Sequence, residues 1–114
     1  MKVLQLIIKQ SFFNEIIKGS KKQEFREVRP TTQKKYVILD EEDAIIDIIK
    51  YDAIQFFVGY NKDRDSALVE VVGSHLEEIV DENNKPIYYD YRGQKNQMID
   101  IVYNLGKVIE KSVK

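Results

Sequence analysis

The segment "GSKKQEFREVRP", Gly19 to Pro30, decides how the rest of the chain is interpreted. Successive side chains of a strand point to opposite faces, so Lys22, Glu24 and Arg26 share one face. A strand in a small domain usually buries one face and exposes the other, yet here both faces carry charge. A basic stretch of this kind is more often a solvated face than a site. If the strand instead borders a cleft, one set of charges meets a ligand and the other set meets solvent.

The residues around this segment predict a short helix followed by a strand. Within the strand only Phe25 and Val28 are predicted to be core residues, and Pro30 ends it because proline cannot donate to a ladder. Upstream, Ser11 stands where a helix N-cap belongs, and Gly19 stands at the C′ position, where positive φ is tolerated. Four apolar side chains between them have the spacing of one helical face: Phe12, Phe13, Ile16 and Ile17. Of these, Phe13, Ile16 and Ile17 should pack the helix onto the sheet.

The remaining pattern is one of many short strands separated by turns. Strands are predicted at 3–9, 36–39, 54–60, 67–72, 87–91 and 98–103, with a further extension along the tail "LGKVIEKSVK". The segment "GYNKDRDS" is predicted to be a long hairpin loop, and 40–50 fits either a short helix or a bent strand. One clear helix among many strands favours a mostly β (α+β) fold. We expect a single domain, 1–114, built as an antiparallel β-barrel with one or two short helices.

Composition excludes several classes of function. The 114 residues contain no cysteine, so disulfides, thiolate zinc sites and cysteine nucleophiles are absent. The net charge is −1, whereas proteins that bind nucleic acid non-specifically usually have a basic excess. No apolar run approaches the ~20 residues that span a bilayer, and the start lacks the features of a signal peptide. These features predict a cytoplasmic protein that does not bind membranes and needs no cofactor.

Two polar clusters outside the charged strand are candidates for chemistry. His75 is the only histidine, and a metal site needs further ligands, so we predict a partly exposed structural residue and no metal. The loop "NKDRDS" has Ser66 and Val72 where a calcium loop requires Gly and Glu. It is predicted to be either a polar hairpin tip or a loop whose Lys62 and Arg64 reach an anion over a cleft.

Aromatic residues give a third candidate, which has two interpretations. Tyr88, Tyr89 and Tyr91 lie within four residues of one another and could stack a nucleobase. Strand packing with a wet edge accounts for the same pattern, and we favour that interpretation.

The charged strand and the end of the chain resemble a known family. Residues Gly19 to Arg26 have the form G-x-K-x-x-E-x-R and follow "FFNEIIK", a combination that resembles the ASCH domain of the PUA-like superfamily. The closing "YNLGKVIE", Tyr103 to Glu110, is similar to the last strand of small bacterial and phage ASCH proteins. The resemblance covers the two ends of the chain and implies a PUA-like β-barrel whose cleft is lined by this strand.

The resemblance also implies two alternative functions. ASCH domains are proposed to bind RNA or nucleotides, which makes Lys22, Glu24, Arg26, Lys62 and Arg64 candidate ligand-binding residues. The partner would be a nucleotide, a modified nucleoside or single-stranded RNA.

In one branch of the family an amidohydrolase removes the acetyl group of N4-acetylcytidine, with the motif lysine catalytic. Lys21 matches that lysine. The threonine expected three residues later is Glu24 here, and the assisting glutamate would be either Glu77 or Glu78. Whether this chain is an enzyme is therefore left open by the sequence.

Overall fold

The computed structural model describes residues 1–114 and contains nine strands, one α-helix and one 3₁₀ turn. In chain order these elements are β1 (Val3–Ile8), α1 (Gln10–Lys18), β2 (Gln23–Glu27), the 3₁₀ turn (Gln33–Lys35), β3 (Val37–Leu39), β4 (Ile45–Ile48), β5 (Ala53–Val58), β6 (Ser66–Glu78), β7 (Tyr88–Tyr91), β8 (Gln94–Gln97) and β9 (Ile99–Ser112). Strands hold 54% of the residues and helix 11%, so the predicted mostly β class is confirmed.

The strands form one five-stranded sheet and two separate hairpins. The large sheet has the order β1-β5-β6-β9-β2, while β3 pairs with β4 and β7 with β8. Strands β5 and β6 are antiparallel, but β1 runs parallel to β5, with Val3 opposite Ala53. The sheet order is open, with β1 and β2 at its edges, and a closed barrel is not found.

The chain divides into two compact units. The first comprises Met1–Glu24, Lys50–Gly73 and Tyr103–Lys114, and the second comprises Phe25–Ile49 and Ser74–Val102. Strands β2, β6 and β9 each contribute residues to both units. The single domain expected from the length of the chain therefore stays a prediction.

The first unit buries α1 against strand residues, as the helical spacing predicts. Phe13 and Ile16 are buried on the inner face of α1, but Phe12 is 43% exposed and does not belong to that face. Alternate residues of β1 are buried, which is the period-2 pattern of a strand with one apolar face. The core of this unit consists of Leu4, Leu6, Ile8, Phe13, Ile16, Ala53, Ile54, Phe56, Ala67, Val69, Tyr103 and Leu105.

The second unit has a smaller buried set and contains both two-stranded hairpins. Its buried apolar residues are Val28, Tyr36, Val37, Ile101 and Val102. The ambiguous segment 40–50 forms β4, paired with β3 across a turn in which Asp40 accepts hydrogen bonds from two backbone N–H groups. The bent-strand alternative is therefore the correct one.

Three local predictions need correction. Ser11 is not the N-cap, because α1 begins at Gln10 and Lys9 occupies the cap position without a side-chain hydrogen bond. Strand β6 extends to Glu78, well beyond the predicted end at residue 72. A strand at 94–97 was not predicted; it pairs with β7 because Arg92 and Gly93, both with positive φ, close a two-residue turn.

Candidate functional site

In the charged strand the structure buries Glu24 and exposes Phe25, whereas the sequence predicted Phe25 as a core residue. Glu24 is only 6% exposed and is the one charged side chain in the buried set, whereas Phe25 is 44% exposed. Val28 is buried, as predicted. Lys22, Glu24 and Arg26 do alternate with Phe25 along β2, so the face that carries these charges is the one turned inward at Glu24.

The end of α1 fixes where the charged strand begins. Gly19 adopts φ 82°, in the left-handed region, and its N–H donates to the carbonyl of Ile16 at 3.0 Å. The N–H groups of Ser20 and Lys21 both donate to the carbonyl of Glu15, at 3.0 and 3.2 Å. The predicted glycine cap is thus confirmed, and it delivers Lys21 directly from the helix to the entrance of β2.

Lys21 and Glu24 come together beside an aromatic ring. The Lys21 Nζ lies 3.6 Å from Glu24 Oε1, and the Lys21 side chain is only 17% exposed. The same ammonium lies 5.2 Å from the centroid of the Phe12 ring, which gives that exposed ring a role other than core packing. The arrangement combines a cation, a buried acceptor and an aromatic face within one small region.

Strand β9 supports this region from the side. The N–H of Leu105 donates to the carbonyl of Lys22 at 2.8 Å, and Gln23 Nε2 donates to Asn104 Oδ1 at 2.8 Å. This antiparallel register puts Glu24 opposite the buried Tyr103. The ring of Tyr51 meets that of Tyr103 edge to face, with centroids 6.4 Å apart, and burial raises the pKa of Tyr51.

The other two positions of the charged face have different environments. Lys22 is exposed, so its ammonium is hydrated. Arg26 is half-buried and belongs to the second compact unit, whereas Lys21 and Glu24 belong to the first. The structure therefore brings together Lys21 and Glu24 from the predicted set.

The predicted anion loop lies in the β5–β6 hairpin and lines its own groove. Arg64 is half-buried and Lys62 is exposed. The groove has a volume of about 410 Å³ and contains neither Lys21 nor Glu24. Its lining residues are Phe57, Tyr60, Asn61, Lys62, Arg64, Ser66, Ser112 and Lys114.

The two candidate assisting glutamates lie in the second unit. Glu77 and Glu78 are both exposed, and Glu77 Oε1 lies 2.9 Å from His75 Nε2. His75 is half-exposed, as predicted. No group of three or more His, Cys, Asp or Glu side chains is placed to hold a metal ion, and no helix is long and apolar enough to cross a membrane.

Sequence reasoning missed a row of acids in the second unit. Burial raises the pKa of Asp100, and the neighbouring charges of Glu27 and Glu77 raise it further. Glu27 is itself paired with Arg29, whose Nε lies 2.9 Å from Glu27 Oε2. The residue spacing on each strand gave no sign of this cross-strand row, because it depends on the register of β9 against its neighbours.

The tyrosine cluster is engaged by cations of its own unit. Lys95 Nζ lies 4.4 Å from the centroid of Tyr88, and the Arg29 guanidinium lies 4.2 Å from that of Tyr89. Tyr88 is 49% exposed at this edge. These contacts agree with the interpretation that the tyrosines pack along a strand whose edge faces solvent.

Comparison with protein-family models, curated proteins and solved structures finds no match to this chain.

Proposed function

We propose that the Lys21–Glu24 region binds the polar edge of a nucleobase, in a nucleotide, a modified nucleoside or single-stranded RNA. The observation that carries this proposal is the burial of Glu24 beside Lys21, with 6% of the residue exposed. In this proposal the chain is an ASCH-type domain of the PUA-like superfamily, and the mostly β fold is compatible with that assignment.

The physical argument starts from the cost of burying a charge. Removing an ion from water costs several kcal/mol, and even a well-made buried pair often contributes no net stability. At 3.6 Å the Lys21–Glu24 pair is long for a charge-assisted hydrogen bond, which is typically about 2.7–2.9 Å. A polar ligand would place a donor beside the Glu24 carboxylate and an acceptor beside the Lys21 ammonium, in addition to the contacts that these groups make within the protein.

A nucleobase edge has the matching chemistry. A carboxylate accepts from an exocyclic amino group such as cytosine N4, and an ammonium donates to a ring carbonyl. Phe12, on which the Lys21 ammonium rests, offers an apolar face for a planar ring. Lys22, just before β2 in the same compact unit, is a candidate for contacts to the sugar or to a neighbouring nucleotide.

A binding titration tests this proposal. Cytidine should bind, and Glu24→Gln should weaken binding more than Lys62→Ala, because a lost buried acceptor leaves a ligand donor unpaired whereas an exposed lysine stays hydrated. The matched control is Glu82→Gln, which removes the same charge from an exposed turn. Equal affinities of the Glu24→Gln and Glu82→Gln proteins for cytidine would refute the assignment.

Single-stranded RNA provides a second measurement of the same site. Each neutralised phosphate adds about −0.7 to the slope of log affinity against log salt concentration. With a net charge of −1, we expect a shallow slope that corresponds to roughly one to three phosphates. A steep slope would instead indicate a broad phosphate-binding surface.

The contact between Lys21 and Glu24 also favours a second candidate, hydrolysis of an N-acyl group on a pyrimidine nucleoside. Lys21 would act as base or nucleophile, and Glu24 would orient it or accept its proton. Water would be consumed, the amide C–N bond would break, and N4-acetylcytidine would yield acetate and cytidine. Chromatography should then show cytidine formation that Lys21→Ala abolishes. Turnover that persists in Lys21→Ala would remove this residue from the mechanism, and no turnover by the unchanged protein would leave the binding function alone.

A further inference from the structure

The groove of the β5–β6 hairpin is a second polar feature, separate from the Lys21–Glu24 region. Its volume of about 410 Å³ falls within the roughly 300–1,000 Å³ of small-molecule sites. It contains two cationic loop residues, Lys62 and Arg64, and the hydroxyl-bearing Ser66 and Ser112. Tyr60, which is 86% exposed, stands beside them.

Arg64 is held in place before any ligand binds. Its guanidinium stacks over Phe57, with 4.0 Å from Cζ to the ring centroid, and its Nη1 donates to the carbonyl of Gly59 at 2.9 Å. Gly59 reaches this position with φ 65°, a conformation that favours glycine. A guanidinium fixed by stacking and by one hydrogen bond loses little further freedom when its other N–H groups bind an oxyanion.

The two carboxylates of the hairpin, Asp63 and Asp65, do not line the groove. Asp65 accepts from Gln10 Nε2 at 3.0 Å and from the backbone N–H of Lys114 at 2.6 Å. The bond from Lys114 is the main reason that the pKa of Asp65 is lowered, so this carboxylate stays ionised while facing its own donors. Asp63 is exposed, and neither aspartate lines the groove.

We propose that this groove binds a phosphate monoester attached to an aromatic ring system, with a nucleoside 5′-monophosphate as the representative ligand. Arg64 and Lys62 contact the phosphate, the hydroxyls of Ser66 or Ser112 donate to it, and the exposed ring of Tyr60 stacks on the base. A carboxylate would satisfy the guanidinium fork equally well. The two cations and two hydroxyls together suit the doubly charged, three-oxygen phosphate better. This inference does not rest on the function proposed for the Lys21–Glu24 region.

The test uses NMR titrations with adenosine 5′-monophosphate, adenosine and inorganic phosphate. Adenosine 5′-monophosphate should shift the amide signals of residues 59–66 saturably, inorganic phosphate should do so more weakly, and adenosine should leave them unchanged. Tyr60→Ala should reduce affinity for the nucleotide about tenfold while leaving inorganic phosphate binding unaltered. Lys62→Ala should reduce both about two- to fivefold.

Arg64→Lys tests the guanidinium itself, and Lys34→Ala is the matched control for Lys62→Ala. Arg64→Lys keeps the charge but loses the planar fork, so it should weaken nucleotide binding without the loss of folding that a truncation on Phe57 risks. Lys34 is a lysine of the 3₁₀ turn, outside the hairpin. The inference is overturned if the nucleotide shifts no amide in 59–66, if adenosine shifts them equally, or if Lys62→Ala and Arg64→Lys bind like Lys34→Ala. Glu24→Gln should not change this binding, which keeps the result independent of the nucleobase proposal.

Discussion

Replacing Gly19 by alanine should destabilise the protein through backbone conformation alone. Gly19 has φ 82°, and no heavy atom lies within 4 Å of the position that a Cβ would occupy, so crowding contributes nothing. An L-residue in the left-handed region costs about 1–2 kcal/mol. Alanine also restricts the unfolded chain, which offsets about 0.4–1 kcal/mol of that cost. We expect a net loss of about 1 kcal/mol in the free energy of unfolding.

Urea denaturation measures this loss, and Gly73→Ala is the matched control. Gly73 lies in β6 without positive φ, and an added Cβ would meet Asn104 Nδ2 at an ordinary 3.5 Å. Its replacement should therefore be neutral or should stabilise by about 0.4–1 kcal/mol, because only the effect on the unfolded chain remains. Equal changes in the two variants would refute the reasoning that the φ of Gly19 determines the cost.

The same substitution should also affect ligand binding. The N–H groups of Ser20 and Lys21 are bound to the carbonyl of Glu15, so any rotation at Gly19 moves Lys21 relative to Glu24. Gly19→Ala should weaken cytidine binding, and Gly19→Asn should weaken it less, because asparagine tolerates the left-handed region. Unchanged cytidine affinity in Gly19→Ala would show that the position of Lys21 does not depend on this cap.

The remaining predictions concern the packing of α1 and the half-buried Asp100 of β9. Ile16→Ala should cost about 2–4 kcal/mol in urea denaturation because Ile16 is 3% exposed, whereas Ile46→Ala, at a residue 63% exposed, should cost little. A loss for Ile16→Ala no larger than that for Ile46→Ala would contradict the packing of this face. The pKa of Asp100 is raised by burial and by Glu27 and Glu77, so the folded state disfavours its charged form and loses stability as pH rises above the ordinary value of 3.8. Asp100→Asn should therefore raise Tm at pH 7 and should not raise it below pH 3.8. An equal rise in Tm at pH 7 and below pH 3.8 would show that the ionisation of Asp100 does not cause the loss of stability.

Local signals in the sequence were sufficient to predict much of the secondary structure. The helix, its glycine cap and the β5–β6 hairpin depend on backbone preferences and on apolar spacing, which are visible in a single chain. The parallel pairing of β1 with β5 was not predicted, because neither strand carries a sign of its distant partner. The length of β6 was underestimated because Gly73 and His75 interrupt its apolar pattern without ending its ladder.

The sequence was sufficient to select the candidate site residues but not to predict which of them are buried. Alternation along the charged segment predicts that Lys22, Glu24 and Arg26 share one face. Period 2 gives the two faces of a strand without saying which one is buried, and hydrophobicity favoured Phe25. The structure buries Glu24 instead, so the orientation of the charged strand results from tertiary packing that local propensity does not encode.

The parallel pairing of β1 with β5 has a consequence for synthesis on the ribosome. Val3 pairs with Ala53, about fifty residues later, and at ~5–20 residues per second that interval lasts roughly 3–10 s. Throughout it β1, whose alternate residues are apolar, has no partner strand, and limited proteolysis of arrested nascent chains would measure its exposure. The β5–β6 hairpin closes a far shorter loop, so β5 can pair with β6 soon after both emerge. Strand β1 therefore stays unpaired until β5 has emerged, and the growing chain carries an apolar segment during that interval.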